Sequence, residues 1–228
     1  MQINEIFSSI DGEGIRTGYP VTFIRSQFCS LNCKYCDTAY SLEPFDEYGN
    51  PQFTHLSIEE IVDECKRLGN KRITFTGGEP LIQKDARSLV SALTQLGYEV
   101  NIETNGNIPL DVITEEIADC PIDQDKVIIT MDWKSPSSGM REKMLADNLK
   151  HLTKKDVLKF VVGSKEDLDD MKNLLDQNNL DCHIFVSPIF GDIEPEDIVS
   201  YILDNNLQQV RVQLQLHKII WDPAKRGV

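Results

Sequence analysis

Long apolar runs are missing from this 228-residue chain: none approaches the ~18 residues that a membrane-spanning helix needs. Met1-Gln2-Ile3-Asn4-Glu5 carries neither the basic start nor the apolar stretch of a secretion signal, which predicts a soluble, cytoplasmic protein with no membrane partner. Positive charge is also in short supply. Lys and Arg number 23 against 37 Asp and Glu, a formal net charge of −14, whereas a nucleic-acid partner demands a basic face toward its phosphates. No repeat, low-complexity tract or linker interrupts the sequence, so residues 1–228 read as one domain. Disulfide staples are unnecessary, because a chain of this length can bury roughly 70–75% of its unfolded surface.

Cysteine is sparse and uneven. Of six, Cys29, Cys33 and Cys36 lie within eight residues, while Cys65, Cys120 and Cys182 are scattered singly. An even count permits disulfides, but a reducing compartment and this clustering point to metal.

Short β-rich runs alternate with amphipathic stretches along the chain. Strands are expected over 21–25, 72–76, 98–103, 127–132, 157–162, 183–187 and 210–214. Ser57-Ile58-Glu59-Glu60 is a capping box that opens a helix to about Leu68, and further helices are expected near 84–96, 110–118, 141–150, 165–177 and 195–205. The segment Glu5 to Gly14 has too many small and acidic residues to read as a strand. Strands joined by helix-length crossovers give an α/β fold with a parallel sheet, either doubly wound or a full or partial barrel. Both place ligands at the carboxyl ends of the strands. The unusual polar clusters fall there: 28–38 follows the first of these strands, Thr76-Gly77-Gly78-Glu79-Pro80 the second, Thr104-Asn105-Gly106 the third. That is the pattern of an active site on one rim.

Cys29-x3-Cys33-x2-Cys36 lets three thiolates converge, and no histidine lies nearby. A structural zinc site wants four closed ligands, and an electron-transfer 4Fe–4S cluster also uses four cysteines. Three thiolates on a cubane leave one iron open to a ligand. The competing reading is a zinc knuckle that borrows Cys65, Cys120 or Cys182. The spacing, with Tyr35 before Cys36 and Gly77-Gly78-Glu79-Pro80 one strand later, resembles the radical S-adenosylmethionine superfamily. Glu5 to Gly14, Arg25, Cys36-Asp37-Thr38, Asp132-Trp133-Lys134 with Ser135-Pro136-Ser137-Ser138, and Gln215-Leu216-His217-Lys218 together resemble the 7-carboxy-7-deazaguanine synthase family, in order, from about residue 4 to 218.

The resemblance implies a partial (β/α)6-type barrel of about six parallel strands and a carbon–nitrogen lyase. It would convert 6-carboxy-5,6,7,8-tetrahydropterin to 7-carboxy-7-deazaguanine with loss of ammonia, a step toward queuosine and other 7-deazapurines. It implies a 4Fe–4S cluster on Cys29, Cys33 and Cys36, and S-adenosylmethionine lined by Tyr35, Cys36, Asp37, Gly78, Asp132, Trp133, Lys134, Ser187, Pro188, Ile189 and Phe190. Thr38 would hold Mg²⁺ through its hydroxyl, and Arg25 would meet the substrate carboxylate. Ile10, Asp11, Gly12, Glu13 and Thr76 would read the pterin, with His217 and Val228 closing the pocket. A flavodoxin- or ferredoxin-type electron donor and a homodimer belong to the same implication. The family commonly has Gln where this chain has Asp11, and a carboxylate only accepts hydrogen bonds.

Two other readings compete. A glycyl-radical-enzyme activase would share the cluster but not the Asp-Gly-Glu-Gly segment or the Thr38 ligand. An electron carrier or zinc module would have no use for a polar rim spread over successive strands. Glu103 is close enough in sequence to the third loop to reach the site, while His55, His151 and His183 read as bystanders and Cys65, Cys120 and Cys182 as small hydrophobes.

Overall fold

The computed structural model describes residues 1–222 and 225–228. Nine strands make one sheet: β1 (Gln2–Ile10), β2 (Pro20–Ser26), β3 (Thr54–His55), β4 (Arg72–Gly77), β5 (Glu99–Thr104), β6 (Val127–Lys134), β7 (Val157–Val162), β8 (His183–Pro188) and β9 (Val210–Val212). Their order is β3-β1-β2-β4-β5-β6-β7-β8-β9. From β2 to β9 every neighbour is parallel, and β1 and β3 add an antiparallel edge. This is the expected α/β open barrel of parallel strands.

Period-two alternation decides what each strand face does. One set of residues (Ile24, Ile73 and Phe75, Val100 and Ile102, Ile129 and Met131, Leu158 and Phe160, Ile184 and Val186) is fully or almost fully buried in one apolar cluster. Against them pack α1 (Ile58–Leu68) through Ile61, Val62 and Cys65, and α2 (Ala86–Gln95) through Leu89, Val90 and Leu93. The short α3 (Asp111–Thr114) contributes Ile113, α4 (Lys165–Gln177) Leu168 and Met171, and α5 (Pro195–Asp204) Ile198 and Ile202. The intervening residues face the barrel interior and are mostly polar (Arg25, Thr76, Glu103, Thr130, Asp132, Lys134 and Lys159), with Phe23 and Val161 as apolar exceptions. Hydrophobic burial thus drives helices onto the outside and leaves a charged lumen.

The sheet does not close on itself. Residues 11–19 cross from β1 to the far edge, where Gly14 N donates to Gln213 Oε1 at 2.7 Å and Gln213 Nε2 donates to Thr17 Oγ1 at 2.8 Å. Leu216 N donates to Gly12 O at 3.1 Å, which docks α6 (Leu216–Ile220) on the same strap.

Four expectations need correction. Glu5 to Ile10 is strand, not an irregular lead-in, because pairing with β2 outweighs its small and acidic residues. Residues 141–150 form two 3-10 turns (Arg141–Lys143 and Ala146–His151), because Asn148 donates to Gly106 O and Ile108 O while Leu145 N bonds Gly106 O. The helix expected over 110–118 stops at Thr114, where Arg87 takes up the carbonyls of Val112, Glu115 and Cys120. The last strand ends at Val212, and His217 sits in α6. No helix among the described residues is long and apolar enough to cross a membrane.

Candidate active site

A cavity of about 880 Å³ opens at the carboxyl ends of the parallel strands. Its wall at the first strand is the cysteine loop. Phe28 takes a left-handed conformation, φ 70°, and its N–H donates to Ser41 O at 2.7 Å, so the chain turns sharply into Cys29. Cys29 Sγ accepts from Leu31 N at 3.4 Å and Asn105 Nδ2 at 3.3 Å, and Cys36 Sγ lies 3.7 Å from Thr38 Oγ1. Burial pushes the Cys29 and Cys33 thiols up from their ordinary pKa, so without metal both are held as neutral thiols.

The glycine loop after β4 packs directly on this segment. A Cβ on Gly78 would overlap the Phe28 carbonyl and the Cys29 nitrogen, so no other residue fits. Glu79 N donates to Phe28 O at 2.7 Å. The Glu79 carboxylate is fully buried and accepts from Asn105 N at 2.6 Å, Leu81 N at 2.9 Å and Thr104 Oγ1 at 2.9 Å. Burial raises its pKa to about 7. Three strand ends are thereby tied into one platform under the cysteines.

Does the donor set fit a cluster? Among the described residues no three His, Cys, Asp or Glu side chains gather around a point where one ion could sit. A tetrahedral zinc site, which crowds four donors on one ion, has no such set here. A cubane seats each thiolate on a different iron, and three cysteines around one cavity wall meet that need. Cys65, Cys120 and Cys182 lie outside the cavity, so no fourth thiolate is on offer.

Deeper in, charges alternate. Lys134 Nζ is 2.7 Å from Asp132 Oδ2; Lys159 Nζ is 3.3 Å from Asp132 Oδ1 and 3.2 Å from Glu13 Oε2. Glu13 also accepts from Ser187 Oγ and Gln215 Nε2, each at 3.2 Å. Burial alone would push Asp132 up, but Lys134 and Lys159 hold it below its ordinary value. Burial works against Lys159 as well, and Asp132 and Glu13 keep it protonated. Glu103 accepts from Thr76 Oγ1 at 2.8 Å, and burial raises its pKa to about 6. His217 lies over Gly12, where a Cβ would run into its ring, and burial lowers its pKa, leaving a neutral imidazole near pH 7.

The cavity brings together Cys29, Cys33, Tyr35, Cys36, Asp37, Thr38, Gly78, Asp132, Lys134, Ile189 and Phe190, with Ile10, Gly12, Glu13, Arg25, Thr76, His217 and Val228. Four expected residues are not on its wall. Asp11 points into the barrel floor, where Arg16 Nε at 2.8 Å and Thr74 Oγ1 at 2.6 Å occupy its carboxylate. Trp133 faces the helices because it alternates with Asp132 and Lys134, and it is 2% exposed. Ser187 is buried behind Glu13, and Pro188 only leads to Ile189. Sequence reading missed Lys159 and Arg226, and marked Asn105 only as part of the turn on the third strand end. Strand alternation marks Lys159 as facing the lumen; nothing in the sequence marks Arg226.

Residues 23–144, more than half the chain, match the Radical SAM superfamily. A 7-carboxy-7-deazaguanine synthase of Clostridium acetobutylicum is 41% identical over 100% of this chain and 99% of its own length. Another from Methanospirillum hungatei is 39% identical over 98% of this chain and 86% of its own. In structure, QueE from Escherichia coli superimposes with a TM-score of 0.69 over 95% of this chain and 94% of that one, at 24% identity. Cysteine loop, glycine loop and charged lumen thus occur in a chain that belongs to the radical SAM superfamily and, within it, to the 7-carboxy-7-deazaguanine synthase family.

Proposed function

We infer that this protein is a radical S-adenosylmethionine enzyme that converts 6-carboxy-5,6,7,8-tetrahydropterin to 7-carboxy-7-deazaguanine with loss of ammonia. The observation that carries this reading is the juxtaposition, across one cavity, of a three-cysteine loop and a half-buried arginine. Cys29, Cys33 and Cys36 would hold a 4Fe–4S cluster, and Tyr35, Asp37, Gly78, Asp132, Lys134, Ile189 and Phe190 would line S-adenosylmethionine beside it. When bound, these two groups supply a radical able to take hydrogen from an unactivated carbon.

The chain's own residues do the rest. Arg25 binds the substrate carboxylate, and Thr38 offers a hydroxyl to Mg²⁺ at the same edge. Glu13, fixed by Lys159, Ser187 and Gln215, accepts from the pterin's N–H groups. Gly12, Ile10, Thr76 and neutral His217 shape the ring pocket, and residues 225–228 cover its mouth and exclude water. The electron comes from a flavodoxin- or ferredoxin-type partner, since the remaining cysteines are spread over α1 and two distant loops and cannot build a second cluster. A homodimer working in the reducing cytoplasm completes the reading.

The test is anaerobic reconstitution and reduction, followed by incubation with S-adenosylmethionine, Mg²⁺ and 6-carboxytetrahydropterin. Mass spectrometry should show 7-carboxy-7-deazaguanine, and Thr38→Ala should lower its rate and abolish the response to added Mg²⁺. Formation of 5′-deoxyadenosine without the deazapurine would retain the radical chemistry and reject the substrate.

A further inference from the structure

Arg25 is held along one edge only. Its Nε donates to Glu5 Oε1 at 2.7 Å, and among the described residues no acceptor meets either of its Nη groups. Glu5 reaches that place through a β-bulge. Ile3 pairs with Ser26, but Glu5 pairs with Arg25, so β1 carries one extra residue, Asn4. In an uninterrupted register Glu5 would stand opposite Ile24, which is fully buried beneath the helices, and would share that outward face. The bulge turns it into the lumen. Asn4 is pinned in the bulge, since its Nδ2 donates to Gln27 Oε1 at 2.7 Å and to Gln52 O at 2.6 Å.

The Glu5 carboxylate is itself fixed. Tyr40 Oη donates to the same Oε1 at 3.0 Å, and the Arg226 guanidinium lies 3.7 Å over the Tyr40 ring. A guanidinium is a planar fork, so immobilising its Nε edge also sets the direction of the Nη pair. That pair can then meet a carboxylate with two parallel hydrogen bonds.

We propose that Glu5 is a positioning residue that orients the Arg25 guanidinium so that its free Nη pair selects a ligand carboxylate. The proposal rests on the reading of Arg25 as the partner of the substrate carboxylate. It adds that specificity for a carboxylated pterin comes from the bulge, Glu5 and Tyr40 together, rather than from the arginine charge alone.

The experiment uses the reconstituted holoenzyme and two ligands: 6-carboxy-5,6,7,8-tetrahydropterin, and 6-methyl-5,6,7,8-tetrahydropterin, which has the ring without the carboxylate. Glu5→Ala should raise KM and Kd for the carboxylated ligand about tenfold, with kcat and the Ki of the methyl compound within about twofold of the parent enzyme. Glu5→Gln keeps an acceptor oxygen without the charge and should recover most of the lost affinity. Equal weakening of both ligands by Glu5→Ala, or a Gln variant as weak as the Ala variant, would overturn the proposal. Arg25→Ala is measured alongside. If it weakens the carboxylated ligand and Glu5→Ala does not, only the positioning role fails; if it spares that ligand, the reading of Arg25 fails and takes the proposal with it. Tyr40→Phe is the second variant, expected to raise KM about threefold through loss of one hydrogen bond to Glu5; an unchanged KM counts against the relay.

Discussion

Asp11 and Arg16 form a buried pair in the barrel floor, with side chains 3% and 7% exposed. Arg16 also donates to Ile73 O, Glu99 O and Thr74 Oγ1, so one guanidinium ties the strap to the starts of β4 and β5. Asp11→Ala would leave that cation buried with no counter-charge, a loss of roughly 3–5 kcal/mol. The expected result is a fall in Tm on the order of 10 °C, with substrate KM in the surviving folded enzyme little changed. A loss of substrate affinity at unchanged Tm would return Asp11 to the recognition site. The residue also shows where sequence reading stops. Spacing marked Cys29, Cys33, Cys36 and Gly78, because the thiolates and the close backbone approach depend on local geometry. Asp11 and Glu13 stand two apart beside glycines, and nothing in that stretch says which carboxylate turns into the cavity; contacts with Arg16 and Lys159, the latter 146 residues away, decide it.

Elements follow the same division. The seven parallel strands were legible as β-branched runs, and α1 from its capping box, because both signals are short-range. β1 was not, since a bulged edge strand carrying a polar lumen face and a Ser-Ser pair has neither clean alternation nor a continuous apolar run. The 141–150 stretch was misread as helix because its fate depends on tertiary hydrogen bonds to residues 106–110. Within 225–228 only Val228 was marked, by the family resemblance rather than by any local pattern, and the structure also stacks Arg226 on Tyr40 while Val228 reaches the cavity. Those residues are mostly exposed, so they add little to stability while lining the cavity. Removing the chain from Lys225 onward should therefore raise substrate KM about tenfold and leave Tm within about 2 °C of the parent protein. Steady-state kinetics and a thermal melt on one preparation separate the two effects; a large fall in Tm would make the segment structural.

For the molecule as a whole, charge outside and inside sets one pH dependence. A net charge of −14 and a pI near 4.7 mean that self-repulsion grows as pH rises above 5. Inside, the folded protein keeps Glu79 protonated to about pH 7 and Glu103 to about pH 6, whereas the unfolded chain releases both protons near 4.5. Between those values the folded state binds more protons, so stability is greatest below 4.5 as far as these groups are concerned and falls as pH rises to 7. Glu79 accounts for about 3 kcal/mol of that fall. Asp37 and Asp132 act oppositely, but their folded pKa values lie below the ordinary carboxylate value, so their contribution is lost only at more acid pH. Those two windows do not overlap, whereas His217, lowered by burial, opposes the glutamates below pH 6.5 and Asp11, raised by burial, adds to them. The cluster-free protein should therefore melt on the order of 10 °C higher at pH 5.5 than at pH 8. Half-molar salt should raise Tm at pH 8 more than at pH 5.5, because only the surface repulsion is screened. Glu103→Gln removes one of the two internal titrations and should flatten the profile between pH 5 and 6 without abolishing the decline toward 7, which belongs to Glu79. A Tm that climbs with pH across this window would mean that both buried carboxyls are ionised in the folded state, with Lys134 and Lys159 neutralising more of the lumen than their contacts with Asp132 and Glu13 suggest.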